Sequence, residues 1–288
     1  MDNTISMTKK PFYYHMHKIG YGLVEYIFPQ KRSCMFCGRH WQGSRLNAEL
    51  CYLCLEQWRR YRRETEICPR CGSFDSGDPC QGPCAESTGG YACSLEAICA
   101  AAPYTGVYRQ RIMALKYNGL TKLAKPMGYM MAEAWEAQGA WASSEAVRTS
   151  QPSRSSPVKP LLVPVPLHPD KERSRGYNQS RLLAQSISWE TGFPVADLLC
   201  RLRPGHVQAE LGRQQRMHAL DQVFAWASGT NAPAPLDPPS QPRPAIIVDD
   251  VVTTGATLEA CGQILRTQGY WPVWGLTFVG GVGQIARK

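Results

Sequence analysis

The stretch Ala245-Ile246-Ile247-Val248-Asp249-Asp250-Val251-Val252-Thr253-Thr254-Gly255-Ala256-Thr257 decides how the rest of the chain is read. Its first four residues form an unbroken apolar run, the pattern of a strand buried in a parallel sheet. Beyond it, Leu258, Cys261, Ile264 and Leu265 recur at helical spacing, so residues 259–267 read as a helix. Between the two lie paired carboxylates and a loop of small residues. Thr253, Thr254 and Thr257 supply hydroxyl donors and Gly255 lets the backbone close up. The helix start offers its unpaired N–H groups to an anion. Asp249 and Asp250 would then face sugar hydroxyls beside that anion. A phosphate next to a ribose is the ligand that fits, because an acidic pair at a strand end otherwise costs desolvation.

Length and composition set the frame. At 288 residues the expectation is one full-size domain plus a smaller one. A hydrophobic content of 43% supplies a packed core, and the mean hydropathy is −0.33. No stretch approaches the ~20 apolar residues that span a bilayer. Residues 1–14 contain two lysines with no apolar run behind them, so no secretory signal is read there and a cytoplasmic protein is expected. Ten of the twelve cysteines precede residue 100, and in a reducing compartment they argue for metal rather than disulfides. The formal net charge of +9 suggests polyanionic partners, which nucleic acid and phosphorylated substrates satisfy equally.

Two regions follow. Residues 1–100 read as a cysteine-rich, zinc-binding module, with a helical pattern at 22–28 and a basic one at 55–66. Residues 101–288 alternate helical and strand patterns, as a parallel α/β domain does. Helices are expected at 107–117, 120–138 and 177–190, and a strand at 161–165. Residues 143–160 and the proline-rich 228–244 read as loop insertions.

Cys34-Met-Phe-Cys37 and Cys51-Tyr-Leu-Cys54 are two C-x2-C knuckles separated by thirteen residues, the spacing of a closed four-sulfur zinc site. Gly38 suits the tight knuckle turn. Cys68-Pro-Arg-Cys71 with Cys80 and Cys84 is a candidate for a second zinc, its later pair being the less regular C-x3-C. Cys93, Cys99, Cys200 and Cys261 read as core residues. The run Glu56-Gln57-Trp58-Arg59-Arg60-Tyr61-Arg62-Arg63 interleaves bases and rings. It fits a single-stranded nucleic acid site, or a solvated helix face with Trp58 and Tyr61 tucked inward.

Upstream of the acidic strand, Leu161–Val165 leads into Pro166-Leu167-His168, followed by Lys171, Arg173 and Arg175-Gly176-Tyr177-Asn178-Gln179. A strand ending in such a turn lets backbone N–H groups meet a pyrophosphate that Lys or Arg neutralises. The block 245–257 resembles the phosphoribosyl-pyrophosphate (PRPP) signature of the type I phosphoribosyltransferases. Together with the zinc knuckles, Ala114-Leu115-Lys116-Tyr117, Pro164–His168 and Arg175–Gln179, the chain resembles the ComF family of competence-associated, phosphoribosyltransferase-like proteins from about Tyr21 to Val279. The resemblance implies a type I phosphoribosyltransferase fold, a parallel sheet flanked by helices, with a small zinc-ribbon-like N-terminal module. It also implies a role in handling single-stranded DNA with the competence machinery. The chain departs from the family at Ala219, where an Asn usually stands after Gln215-Arg216.

On this reading Thr253, Thr254, Gly255, Ala256 and Thr257 hold the 5-phosphate of PRPP, and Asp249 and Asp250 take the ribose hydroxyls. Val165, Pro166, Leu167 and His168 hold the pyrophosphate by backbone, with Arg175 and Lys116 or Lys171 as cationic partners. Magnesium bridges pyrophosphate and ribose oxygens. The alternatives are a transferase that displaces pyrophosphate with an unidentified nitrogen acceptor, a DNA-handling factor that keeps the PRPP site, and a PRPP-sensing regulator.

Overall fold

A computed structural model of the chain describes residues 32–41, 49–74, 94–139, 158–203, 223–227 and 243–282. The chain divides into two compact units, Met1–Leu55 and Glu56–Lys288. The division falls well before the compositional boundary near residue 100. Cysteine content tracks metal chemistry, whereas Trp58 and Phe74, both buried, belong with the larger unit.

In the first unit, strands β1 (Arg32–Ser33) and β2 (His40–Trp41) pair antiparallel around the first knuckle. Helix α1 (Tyr52–Glu64) starts directly after Cys51 and runs into the second unit. The helical pattern at 22–28 lies outside the described residues.

The second unit is an α/β layer structure. Strands β3 (Ile98–Pro103), β4 (Leu161–Pro164), β7 (Arg243–Val251) and β8 (Tyr270–Gly280) form one sheet in the order β3-β8-β7-β4, every neighbouring pair parallel. A two-stranded antiparallel ribbon, β5 (Leu199–Arg201) with β6 (Phe224–Trp226), completes the strands among the described residues. The helices are α2 (Gly106–Tyr117), α3 (Ala124–Gln138), α4 (Pro169–Arg175), α5 (Gln179–Thr191) and α6 (Ala256–Thr267).

Successive strand residues point to opposite faces, and both faces here are covered. Ala245, Ile247 and Val273 cluster with Leu258, Cys261 and Leu265 of α6. Trp274, next along β8, meets Trp135 of α3 edge-on at 5.6 Å. That double burial is why the strands read as continuous apolar runs instead of alternating ones. Helices α3 and α5 approach closely at Gly128, where an added Cβ would lie 2.3 Å from the Cβ of Ser186.

Strand β7 begins at Arg243, inside the expected insertion 228–244, and continues through both aspartates to Val251. The remainder of that insertion up to Pro242, and of the insertion 143–160 up to Pro157, lies outside the described residues. Helix α4 takes up the stretch after β4 that carries Lys171, Arg173 and Arg175. Its seven residues are bracketed by a His168 N-cap and by Gly176 in the left-handed region at φ +82°. Among the described residues no helix is long and apolar enough to cross a membrane.

Candidate functional site

Strands β4 and β7 are neighbours and parallel, so the loops that leave their carboxyl ends lie side by side. Ligands of open α/β sheets sit in this position. Asp249 and Asp250 close β7, and both are buried. Gly255, at φ +77°, turns the chain into α6, a conformation that favours glycine. Thr254 Oγ1 accepts the Ala256 N–H at 3.5 Å, which folds the loop over the helix start.

The two carboxylates are held differently. Asp249 Oδ1 accepts from Ser180 Oγ at 2.9 Å and from its neighbour's backbone, Asp250 N, at 2.9 Å. Burial, and then the Asp250 charge alongside, push the Asp249 carboxyl up to about 8. Asp250 forms an ion pair with Lys116 Nζ, and Gln179 Nε2 donates to its other oxygen at 3.4 Å. Burial works against the Lys116 ammonium, but the Asp250 and Asp249 charges overcome it and raise its pKa above the ordinary lysine value. One carboxylate therefore carries a matched counter-charge and the other favours its proton.

A single segment organises this arrangement. Asn178 caps α5 by accepting from Ser180 N and Arg181 N at 2.9 and 3.3 Å, and donates Nδ2 to Val165 O at 3.0 Å. Tyr177 donates its hydroxyl to Leu115 O on α2. Arg175 donates to Gln179 Oε1 and lies over the Tyr117 ring, 5.4 Å from its centre. Residues 175–180 thereby join α2, the loop after β4 and the carboxylates of β7.

On the β4 side, Val165 donates its N–H to Val248 O at 2.9 Å, and proline has no N–H. Any backbone donation to an anion in this loop falls to Leu167 and His168. His168 Nδ1 accepts from Asp170 N at 3.3 Å as the cap of α4. Lys171 is exposed on that helix. The two loops thus leave neighbouring parallel strands, β4 and β7, and Lys116 reaches Asp250 from α2.

Sequence reading missed Ser180, Gln179 as an aspartate ligand, and Arg201. Burial brings Arg201 below its ordinary value, an effect that the Asp249 charge opposes. Its guanidinium lies 5.3 Å from the Phe224 ring centre. The one available signal was Asn178 as a helix cap, which fixes Gln179 and Ser180 in the first turn of α5.

The chain is similar to competence proteins. Over 134 residues it is 31% identical to Competence protein F of Haemophilus influenzae, covering 46% of this chain and 56% of that protein. Over 109 residues it is 35% identical to DNA utilization protein YhgH of Escherichia coli, 38% of this chain and 44% of that one. Over 112 residues it is 30% identical to Competence protein ComFC of Bacillus subtilis, 38% and 39%. The chain spans about half the length of the curated relatives it matches. No protein-family model matches it.

In the first unit, Cys34, Cys37, Cys51 and Cys54 bring their sulfur atoms within 4.8 Å of one another, close enough to share one metal ion such as zinc. Cys37 Sγ and Cys51 Sγ are 3.7 Å apart, against roughly 3.8 Å for the edge of a tetrahedron with ~2.3 Å Zn–S bonds. Burial opposes ionisation of Cys34, but the N–H groups of Cys37, Cys51 and Phe36 point at its sulfur and bring the thiol down to about 7. The knuckle turn is built by Cys34 N donating to Arg39 O (2.9 Å) and Gly38 N to Cys34 O (2.8 Å). The same turn recurs in the second unit. There Cys68 N donates to Ser73 O and Gly72 N to Cys68 O, both at 2.9 Å. Cys80 and Cys84, the other half of that expected set, lie outside the described residues. Cys99 and Cys261 are buried core residues as expected.

Helix α1 tucks Trp58 and Tyr61 inward. Arg59 pairs with Glu133 and Glu56, Arg60 with Glu64, and Arg62 donates to the Ala100 and Ala101 carbonyls at 2.6 and 2.8 Å. Trp58 is buried and donates Nε1 to Ala101 O at 2.8 Å. Three of the four arginines are engaged within the protein. A cavity of about 600 Å³ lies along this helix, lined by Trp58, Arg62, Glu56 and Glu133 among others. The Arg59 guanidinium that lines it is already paired with Glu133 and Glu56.

Proposed function

We propose that the crevice at the ends of β4 and β7 binds PRPP, and that the chain is a ComF-type protein with a type I phosphoribosyltransferase fold that acts in DNA handling. The observation that carries the reading is the buried Asp249–Asp250 pair. It is followed by the Thr253–Thr257 loop and helix start, beside the Val165–His168 loop, with Lys116 on Asp250. The N–H groups and hydroxyls of residues 253–257 receive the 5-phosphate. Asp250, paired with Lys116, accepts the ribose hydroxyls. Asp249, tied to Ser180, holds the strand end in place. Leu167 and His168 donate to the pyrophosphate, with Lys116, Lys171 and Arg175 nearby in charge. Magnesium, an oxygen-seeking ion that binds few protein ligands, supplies neutralisation of the pyrophosphate when bound, and the Asp250 carboxylate suits it.

If turnover occurs, a nitrogen lone pair forms a bond to C1 of the sugar as the C1–oxygen bond breaks, and pyrophosphate leaves with that electron pair. Positive charge builds on the ribose ring, and Asp250 is the group to stabilise it. The names of the similar competence and DNA utilization proteins support the DNA-handling part of the reading. The four-cysteine cluster supports a structural zinc in the first unit.

A ligand-induced melting shift tests the site. PRPP with magnesium should raise the melting temperature more than ribose 5-phosphate or pyrophosphate alone, because only PRPP spans both loops. Equal shifts from the fragments, or none from PRPP, would refute the assignment.

A further inference from the structure

We propose that the outward face of α2, with the turn that follows it, is a docking surface for single-stranded nucleic acid and leads to the carboxylate crevice. This rests on the DNA-handling part of the reading above and gives it a surface, in place of helix α1. From Ala97 to Ala132 the chain has five basic residues (Arg109, Arg111, Lys116, Lys122 and Lys125) and no aspartate or glutamate. On α1 and α4, by contrast, acids on the same helix neutralise bases, Glu56 and Glu64 on Arg59 and Arg60, Asp170 on Arg173.

The exposed residues of α2 form one stripe. Arg109, Met113 and Tyr117 recur every fourth position, while Ile112 and Leu115 face the core and Lys116 turns in to Asp250. The stripe continues into the exposed Leu120 and Lys122. Tyr117 is 67% exposed, a large value for a tyrosine already carrying Arg175 against its ring. Arg109 likewise lies over Tyr104, 5.8 Å from its ring centre.

A cationic stripe that carries one open ring, Tyr117, matches a single strand. Phosphates meet the charges, and unpaired bases offer faces for stacking that a duplex keeps covered. An acidic protein segment would use the charges and leave the exposed Tyr117 ring without a role. Continuity with the crevice follows from the contacts. Lys116 adjoins Tyr117 in sequence, and Arg175 links the Tyr117 ring to Gln179, which donates to Asp250. A strand laid along α2 thus ends where the PRPP site begins.

The test is fluorescence anisotropy of a labelled oligothymidylate with the full-length, zinc-loaded protein at several salt concentrations. The variants are Arg109→Ala/Lys122→Ala, Tyr117→Ala and, on α1, Arg60→Ala/Arg63→Ala. The α2 double variant should bind about tenfold more weakly, and its salt slope should shrink by about 1.4, or ~0.7 per lost phosphate contact. Tyr117→Ala should lose about fivefold or more. The α1 pair should bind as wild type does, and the exposed α2 double variant should keep the wild-type melting temperature. Wild-type binding that survives the α2 changes, or that falls with the α1 pair, overturns the surface and leaves the DNA reading standing. Wild type that binds no single strand overturns both. Polyglutamate competing as well as DNA would mark an acidic-protein site and overturn the proposal.

Discussion

Replacing Asp249 with asparagine should remove a pH dependence of stability that the wild type carries. In an unfolded chain the carboxyl titrates near ~3.9, but burial and the Asp250 charge place it at about 8 in the fold. Between those values the folded state keeps a proton that the unfolded chain has released. The folded state therefore binds more protons, and stability falls as pH rises through that window, by about 1.4 kcal/mol per unit. From pH 6.0 to 7.5 the wild type should lose about 2 kcal/mol relative to Asp249→Asn. Asparagine can still accept from Ser180 Oγ, so the variant keeps the contact made at 2.9 Å. Urea denaturation of both zinc-loaded proteins at these pH values, with the two free energies subtracted at each, isolates the effect of this one group. Parallel stability curves for the two proteins would refute the reasoning, since they would mean that Asp249 is ionised throughout.

Other consequences can be checked in the same preparations. Lys116→Met should cost about 3 kcal/mol by urea denaturation, because it leaves Asp250 buried beside Asp249 without its counter-charge. Lys116→Met/Asp250→Asn should recover most of that loss, and failure to recover would mean that the pair is not coupled. Arg62→Ala should destabilise by about 1–3 kcal/mol by removing the donor to the Ala100 and Ala101 carbonyls; an unchanged midpoint would show those carbonyls satisfied by water. Cys37→Ser should lower bound zinc by one ion per chain in elemental analysis, given its place among the four clustered sulfurs. Zinc content equal to wild type would remove the metal from this cluster.

The decisive stretch was legible because its signals are local. An apolar run, a glycine at a positive φ and a row of small hydroxyl residues need no knowledge of distant partners, and strand, loop and helix follow in that order. The helices around 107–117 and 120–138 were legible for the same reason, their periodicity being set by the one sheet they cover. What was hidden depends on distant pairing. Ser180 reaches Asp249 across 69 residues of chain, and Gln179 reaches Asp250 across 71. In the sequence they read only as the first turn of the helix expected at 177–190. Arg59 meets Glu133 across 74 residues, so the sequence alone left a nucleic acid face open beside the reading with Trp58 and Tyr61 tucked inward. Arg175 stood among the free cations, yet it is engaged with Gln179 and Tyr117. Strand β7 reached back to Arg243 because parallel pairing to Tyr270 outweighs the local preference of a proline-rich stretch, Pro244 falling at the register shift.

The central claim, that the carboxylate crevice is a PRPP site, is tested most directly by calorimetric titration of PRPP with magnesium into the zinc-loaded protein, wild type against Asp250→Asn. Saturable binding at one site in the wild type, weakened at least about tenfold in the variant, is the predicted result, in line with the loss of a charge-assisted hydrogen bond. A well-folded wild type that takes up no PRPP, or an Asp250→Asn variant that binds it equally well, would contradict the account.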